Sequence, residues 1–137
     1  MPALRMYRVF ISHCWECNAD YYRLVRWLNG EPLFKWKNLS VPEESAMRED
    51  KLFEKRLRKR LAKSDIMLVI VGMEIDHRYW MKWEIKWASI RGIPFVGVMP
   101  NGALRIPQVA ESARCPIVAL RRDSVVAAIR AYALRRQ

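Results

Sequence analysis

The stretch DIMLVIVG, from Asp65 to Gly72, constrains the fold more than any other part of the chain. It is a continuous apolar run rich in β-branched residues, closed by an aspartate and a glycine. A strand with one wet face alternates apolar and polar residues. A strand without alternation has both faces buried, as happens at the centre of a parallel sheet covered by helices on each side. A second run of this kind is IPFVGVMP (Ile93 to Pro100). Two shorter ones are YRVFIS (Tyr7 to Ser12) and PIVAL (Pro116 to Leu120). LFKWKN (Leu33 to Asn38) alternates and reads as a half-buried strand.

Helical patterns separate these runs. Asn18 is placed to cap a helix from about Asp20 to Leu28, with Gly30 as its stop. REDKLFEKRLRKRLAK (Arg48 to Lys63) spaces Phe53, Leu57 and Leu61 along one helical stripe. Another helix spans about Arg78 to Arg91 and ends at Gly92. Asp123 or Ser124 caps the last one. Trp27 and Trp36 read as core. Strictly alternating strands and helices imply an α/β domain with a doubly wound, five-stranded parallel sheet of order 2-1-3-4-5. With no repeat, linker or low-complexity tract, residues 1–137 read as a single domain. Ligands of such sheets bind beyond the carboxyl ends of the strands, where the winding reverses. Here that point lies between the first and third strands. The loops ISHCWECNAD (from Ile11) and GMEIDHRYW (from Gly72) therefore meet there, with NLSVPEES (Asn38 to Ser45) as a third wall.

Charge narrows the partners. Twenty-five Lys and Arg against 14 Asp and Glu leave a net charge of +11, which favours nucleotides, nucleic acid or an acidic protein. Two segments, 48–63 and 123–136, carry much of it. Each reads either as a solvated helix face or as a stripe for an anionic partner. No apolar run is long enough to span a membrane, and the first residues are too short for a secretory signal, so a cytoplasmic setting is expected.

The histidine-led CxxC, His13 with Cys14 and Cys17, admits three readings: a redox pair, part of a zinc site, or a strand-to-helix loop. Cysteines 14, 17 and 115 do not make a disulfide framework in a cytosolic chain. The helix begins after the pair, unlike in a thioredoxin-type motif. The only distant partners for zinc are His77 and Cys115, so no metal is expected.

Glu84 is the odd carboxylate. On HRYWMKWEIKWASIRG (His77 to Gly92) the apolar face holds Trp80, Trp83, Trp87 and Ala88, and Glu84 lies on the same face. Positions three and four residues away are Trp80, Met81, Trp87 and Ala88, so no basic neighbour on the helix pairs with it. Either another element satisfies this carboxylate, or it is kept for a task.

HRYWMKWEI (His77 to Ile85) resembles the third box of TIR domains, where a tryptophan precedes a glutamate by four residues. YRVFISHCW resembles the first box, and NLSVPEES falls where TIR domains carry their BB loop. Arg78 is closer to the TIR-like proteins of the bacterial Thoeris anti-phage system. The likeness extends over nearly the whole chain and implies a flavodoxin-like, TIR-like fold. It also implies cleavage of NAD⁺ at the nicotinamide–ribose bond. By position, Glu84 would be the catalytic carboxylate and Trp80 would pack beside the nicotinamide or ribose. Ser12, His13 and Trp15 would line the nucleotide, and Asn38 and Ser40 would join the substrate-binding set from the third wall. NAD⁺ enters as substrate, with no cofactor beyond it. Thoeris proteins of this kind make a small signalling nucleotide from ADP-ribose, often cyclic, that activates a separate effector, and a chain of this length suits a stand-alone synthase. A phage-derived trigger and homo-oligomer formation belong to the same expectation. The alternative is a non-catalytic TIR-like module that binds proteins or nucleic acid through its basic faces.

Overall fold

The computed structural model describes residues 5–12, 19–40, 51–70, 84–100 and 116–135, with side chains from 55 onward in the third segment. The elements are β1 (Met6–Ser12), α1 (Ala19–Gly30), β2 (Lys35–Asn38), α2 (Lys51–Lys63), β3 (Ile66–Ile70), α3 (helical residues 84–91), β4 (Phe95–Met99), β5 (Ile117–Ala119) and α4 (Arg122–Tyr132). The five strands form one sheet in the order β2-β1-β3-β4-β5, as expected. Every pairing is parallel; in register, Val9 faces Ile66, Ser12 faces Val69, and Leu68 faces Val96.

The unbroken apolar runs are explained by two cores, one on each side of the sheet. Successive side chains of a strand point to opposite faces. Val9, Ile11, Ile66, Leu68, Ile70, Val96 and Val98 therefore join one core with Leu24, Leu28 and Ile129 of α1 and α4. Phe10, Met67 and Val69 join the other, with Leu57 and Leu61 of α2 and Ile85 and Ala88 of α3. Val9, Val69 and Val96 are all buried. Leu61, 1% exposed, is central to the second core. Leu61→Ala is expected to cost about 2–5 kcal/mol, because the lost contacts leave a cavity that close-packed neighbours cannot fill. Chemical denaturation measures this, and a loss under about 1 kcal/mol would contradict the packing described.

Local chemistry sets the element ends. Gly92 takes φ 71°, and the helix before it closes with Ile93 N–H to Ala88 O at 2.8 Å and Gly92 N–H to Ser89 O at 3.2 Å. This is the left-handed glycine stop expected of a helix C-terminus. Other ends differ from the expectation. The first helix continues through Gly30. β2 is shorter than the alternating run, because Leu33 adopts φ 56° in the turn before it. The last helix begins one residue before Asp123, after Arg121 in extended geometry, with no side-chain cap. Asp123 Oδ1 accepts instead from the adjacent Ser124 N–H at 3.0 Å. Trp27 and Trp36 pack against the first core but are only half-buried, and Trp36 donates its indole N–H to Asn29 at 2.9 Å. Amphipathic rings often keep the polar edge wet in this way. Phe53 and Asn18 lie outside the described side chains. No helix among the described residues is long and apolar enough to cross a membrane.

Candidate active site

The sheet order puts the reversal of winding between β1 and β3, and Ser12 ends β1 there. Its side chain is 1% exposed. α3 reaches the same edge because Ile85 and Ala88 pack on Phe10, Met67 and Val69 of β1 and β3. That docking carries Glu84 inward, to 8% exposure. Trp87 packs half-buried against the second core, with the Arg58 guanidinium 4.4 Å and the Arg91 guanidinium 5.9 Å from its ring centroid. Such cation–π contacts are worth about 0.5–1 kcal/mol where exposed, and they hold α2 against α3.

Burial pushes the Glu84 carboxyl up to about 8, while the neighbouring Ser12 hydroxyl pulls the other way. Among the described residues, Ser12 Oγ and Glu84 Oε2 are both buried and neither has a hydrogen bond of good geometry. The ion pairs of the described residues join Arg5 to Asp65, Arg23 to Asp20 and Arg122 to Glu31, and Glu84 takes part in none of them. An unpaired buried carboxyl costs free energy that packing elsewhere must offset. Of the two sequence readings, satisfaction by a base from another element finds no ion pair among the described residues.

Of the third wall, Asn38 to Ser40 are described and are tied to the fold at the end of β2. β2 runs beside β1, and Ser40, 6% exposed, accepts the Ile11 N–H on its hydroxyl at 2.9 Å. Asn38 donates to the Tyr21 hydroxyl at 2.8 Å and accepts from Ser40 N–H at 2.9 Å. Arg60 donates to the Leu39 and Ser40 carbonyls at 3.4 and 3.1 Å. Asn38 and Ser40 thus have side chains engaged inside the fold, shaping the edge where the loop departs. Ser40→Ala removes this buried acceptor and is expected to cost about 0.5–1.5 kcal/mol, the net worth of a typical hydrogen bond. Urea titration tests it, and a change within about 0.5 kcal/mol, the scale of a neutral surface substitution, would mean the hydroxyl is dispensable.

Of the expected site residues, Ser12 and Glu84 are brought together, and Asn38 and Ser40 border them. His13, Trp15 and Trp80 lie outside the described residues, as do Cys14 and Cys17. Tyr21 was readable as a core position, spaced with Leu24 and Leu28 on α1. That its hydroxyl meets Asn38 was not readable, since the contact bridges a helix and a strand.

Residues 10–105 match the TIR-like domain of the Thoeris protein ThsB. Among solved structures, the chain is similar to a Clostridium botulinum protein described as a CMP N-glycosidase, BcmB. The TM-score is 0.55 at 14% identity, with 91% of this chain and 99% of that one covered. At that identity the likeness is one of fold. No curated protein matches significantly.

Proposed function

This chain belongs to the family of the Thoeris ThsB TIR-like domain, and from that premise we propose that it is an enzyme that cleaves NAD⁺ at the nicotinamide–ribose bond. The observation that carries this reading is the buried carboxyl of Glu84, its Oε2 without a hydrogen bond among the described residues, beside Ser12 at the carboxyl edge of β1 and β3. The scissile bond joins C1′ of the ribose to a cationic pyridinium nitrogen. When it breaks, its electron pair goes to nitrogen and nicotinamide leaves neutral, so no general acid is required. The positive charge moves onto the ribose as an oxocarbenium-like species. An ionised Glu84 facing C1′ and the ribose hydroxyls stabilises that charge, as carboxylates do in glycoside hydrolysis. Water then adds at C1′ and loses a proton, giving ADP-ribose. A nucleophilic group of the ADP-ribose itself does the same in a cyclic product. The solved neighbour, described as a CMP N-glycosidase, is also named for an N-glycosidic bond of a nucleotide, which is the same class of bond.

The apo carboxyl is mostly protonated near neutral pH, since burial holds its pKa at about 8. The cationic ring of the substrate reverses this, because an adjacent positive charge favours the carboxylate. Binding and ionisation are then coupled, which protects the fold from carrying a buried charge when no substrate is present. Ser12, His13 and Trp15 are assigned to the nucleotide, and Trp80 to the nicotinamide or ribose. The product is a signal for a separate effector. Action in the cytoplasm, a phage-derived trigger and self-assembly complete the proposal.

The test is incubation with NAD⁺, with and without lysate from phage-infected cells, and mass spectrometry of the products. CMP serves as comparison substrate. Nicotinamide with ADP-ribose or its cyclic isomers supports the reading. Cleavage of CMP alone would change the substrate. Failure to release nicotinamide under every condition would favour the non-catalytic module, for which the exposed basic residues of α2 are the supporting feature.

A further inference from the structure

The amino-terminal edge of the sheet, at the opposite end of the strands from Glu84, carries a second concave site. A cavity of about 610 Å³ opens there, lined by Arg5, Tyr7, Arg8, Asp65, Arg130 and Arg135 among others. Among the described lining residues, four are arginines and one is an aspartate. The residues come from the start of β1, the residue before β3, and the end of the chain around α4, so the arrangement exists only in the folded protein.

The floor is built. Asp65, whose side chain is 5% exposed, accepts the Arg8 N–H on Oδ2 at 2.9 Å and lies 3.9 Å from the Arg5 guanidinium. Its backbone N–H donates to Arg8 O at 2.8 Å, and its carbonyl accepts from Leu134 N–H at 2.9 Å. Arg5 also donates to the Leu134 carbonyl and lies 4.6 Å over the Tyr7 ring. Tyr7 stacks on Phe34 at 5.3 Å, and Arg130 lies 5.6 Å from the Phe34 centroid while donating to Leu33 O at 3.3 Å. These contacts engage Arg5, Arg130 and the aromatic pair. The side chains of Arg8 and Arg135 make no hydrogen bond or ion pair among the described residues, and both are exposed.

Two cations are therefore held in place and two are left to a ligand. The geometry points to a binding site for a multiply charged phosphate anion, an oligophosphate either free or carried by a nucleotide. Guanidinium groups match phosphate oxygens in bidentate geometry. An anion here also relieves the mutual repulsion of four like charges. Phosphate, not base, is the recognised part, because the faces of Tyr7 and Phe34 are already engaged with each other and with arginines. The volume is within the range of small-ligand sites.

Calorimetric titration with inorganic tripolyphosphate at about 0.15 M salt, where diffuse surface fields are screened, tests the site. Saturable binding of one equivalent is expected, and Arg8→Gln with Arg135→Gln should weaken it about tenfold or more. Arg56→Gln with Lys59→Gln, exposed on α2 and equal in charge change, should alter it less than about twofold. ATP is the second probe. Tighter binding than tripolyphosphate assigns a nucleotide-borne ligand and weaker or equal binding a free one; either ranking supports the site if it depends on Arg8 and Arg135. Equal weakening by the two variant pairs would reduce the effect to the +11 net charge and overturn the site. So would a titration that does not saturate, or binding of a single-stranded oligonucleotide where tripolyphosphate fails to bind.

Discussion

Glu84→Gln is expected to lower NAD⁺ turnover by about 100-fold or more while the fold survives. The substitution keeps the shape of the side chain and removes the charge. Losing one key electrostatic group from a water-poor site typically costs about 10²–10³ in rate. The loss falls on kcat and more heavily on kcat/KM, since the carboxylate meets the bound pyridinium in the ground state as well as the charge at C1′ in the transition state. A variant with unchanged turnover would rule out this role for Glu84. Stability makes an independent readout. The carboxyl titrates at 4.5 as an ordinary glutamate and at about 8 in the fold. Between those values the folded state binds the proton and the unfolded chain does not, so the wild type loses stability as pH rises across that window. Glutamine cannot ionise. The variant should therefore gain on the wild type between pH 4.5 and 8, by a few kcal/mol at the upper end. Melting curves of the two proteins at pH 5 and above 8 measure the difference. A gap independent of pH would contradict the burial of this carboxyl.

The second large effect is in the pH profile of the wild type. If catalysis needs the ionised carboxylate, kcat/KM follows its fraction in the free enzyme. With a pKa of about 8, kcat/KM should rise nearly tenfold per unit in the acid range. Between pH 6 and 8 the gain is about 50-fold, levelling above that. kcat should level at lower pH, because the bound pyridinium stabilises the carboxylate and lowers its pKa in the complex. A kcat/KM profile already flat from pH 5 upward would mean an ordinary surface-like carboxylate and would remove the basis for coupled binding and ionisation.

The sequence alone determined the sheet, its helical layers and the position of the candidate carboxylate on its helix. DIMLVIVG and IPFVGVMP had to be central strands because nothing in them tolerates a wet face. Gly92 was placed to end a helix because glycine takes the left-handed position at a helix C-terminus without steric cost. Glu84 had to share a face with Ala88 because helical geometry repeats every 3.6 residues. All three inferences rest on local backbone periodicity, which a sequence carries explicitly.

Tertiary structure alone decided what these residues meet. Ser12 and Glu84 become neighbours only because β1 lies next to β3 and α3 docks on that side of the sheet. The absence of a partner for Oε2 likewise depends on which side chains the packing brings near. Asn38 and Ser40 were expected to join the substrate-binding set; that the adjacency of β2 to β1 also ties them to Tyr21 and Ile11 was not legible. The left-handed Leu33, the uncapped start of α4 and the half-exposed Trp27 and Trp36 were equally hidden. So was the arginine cavity, whose walls come from both ends of the chain. In each case the deciding quantity is a distance between residues far apart in sequence, and only the crossover pattern of the folded sheet sets it.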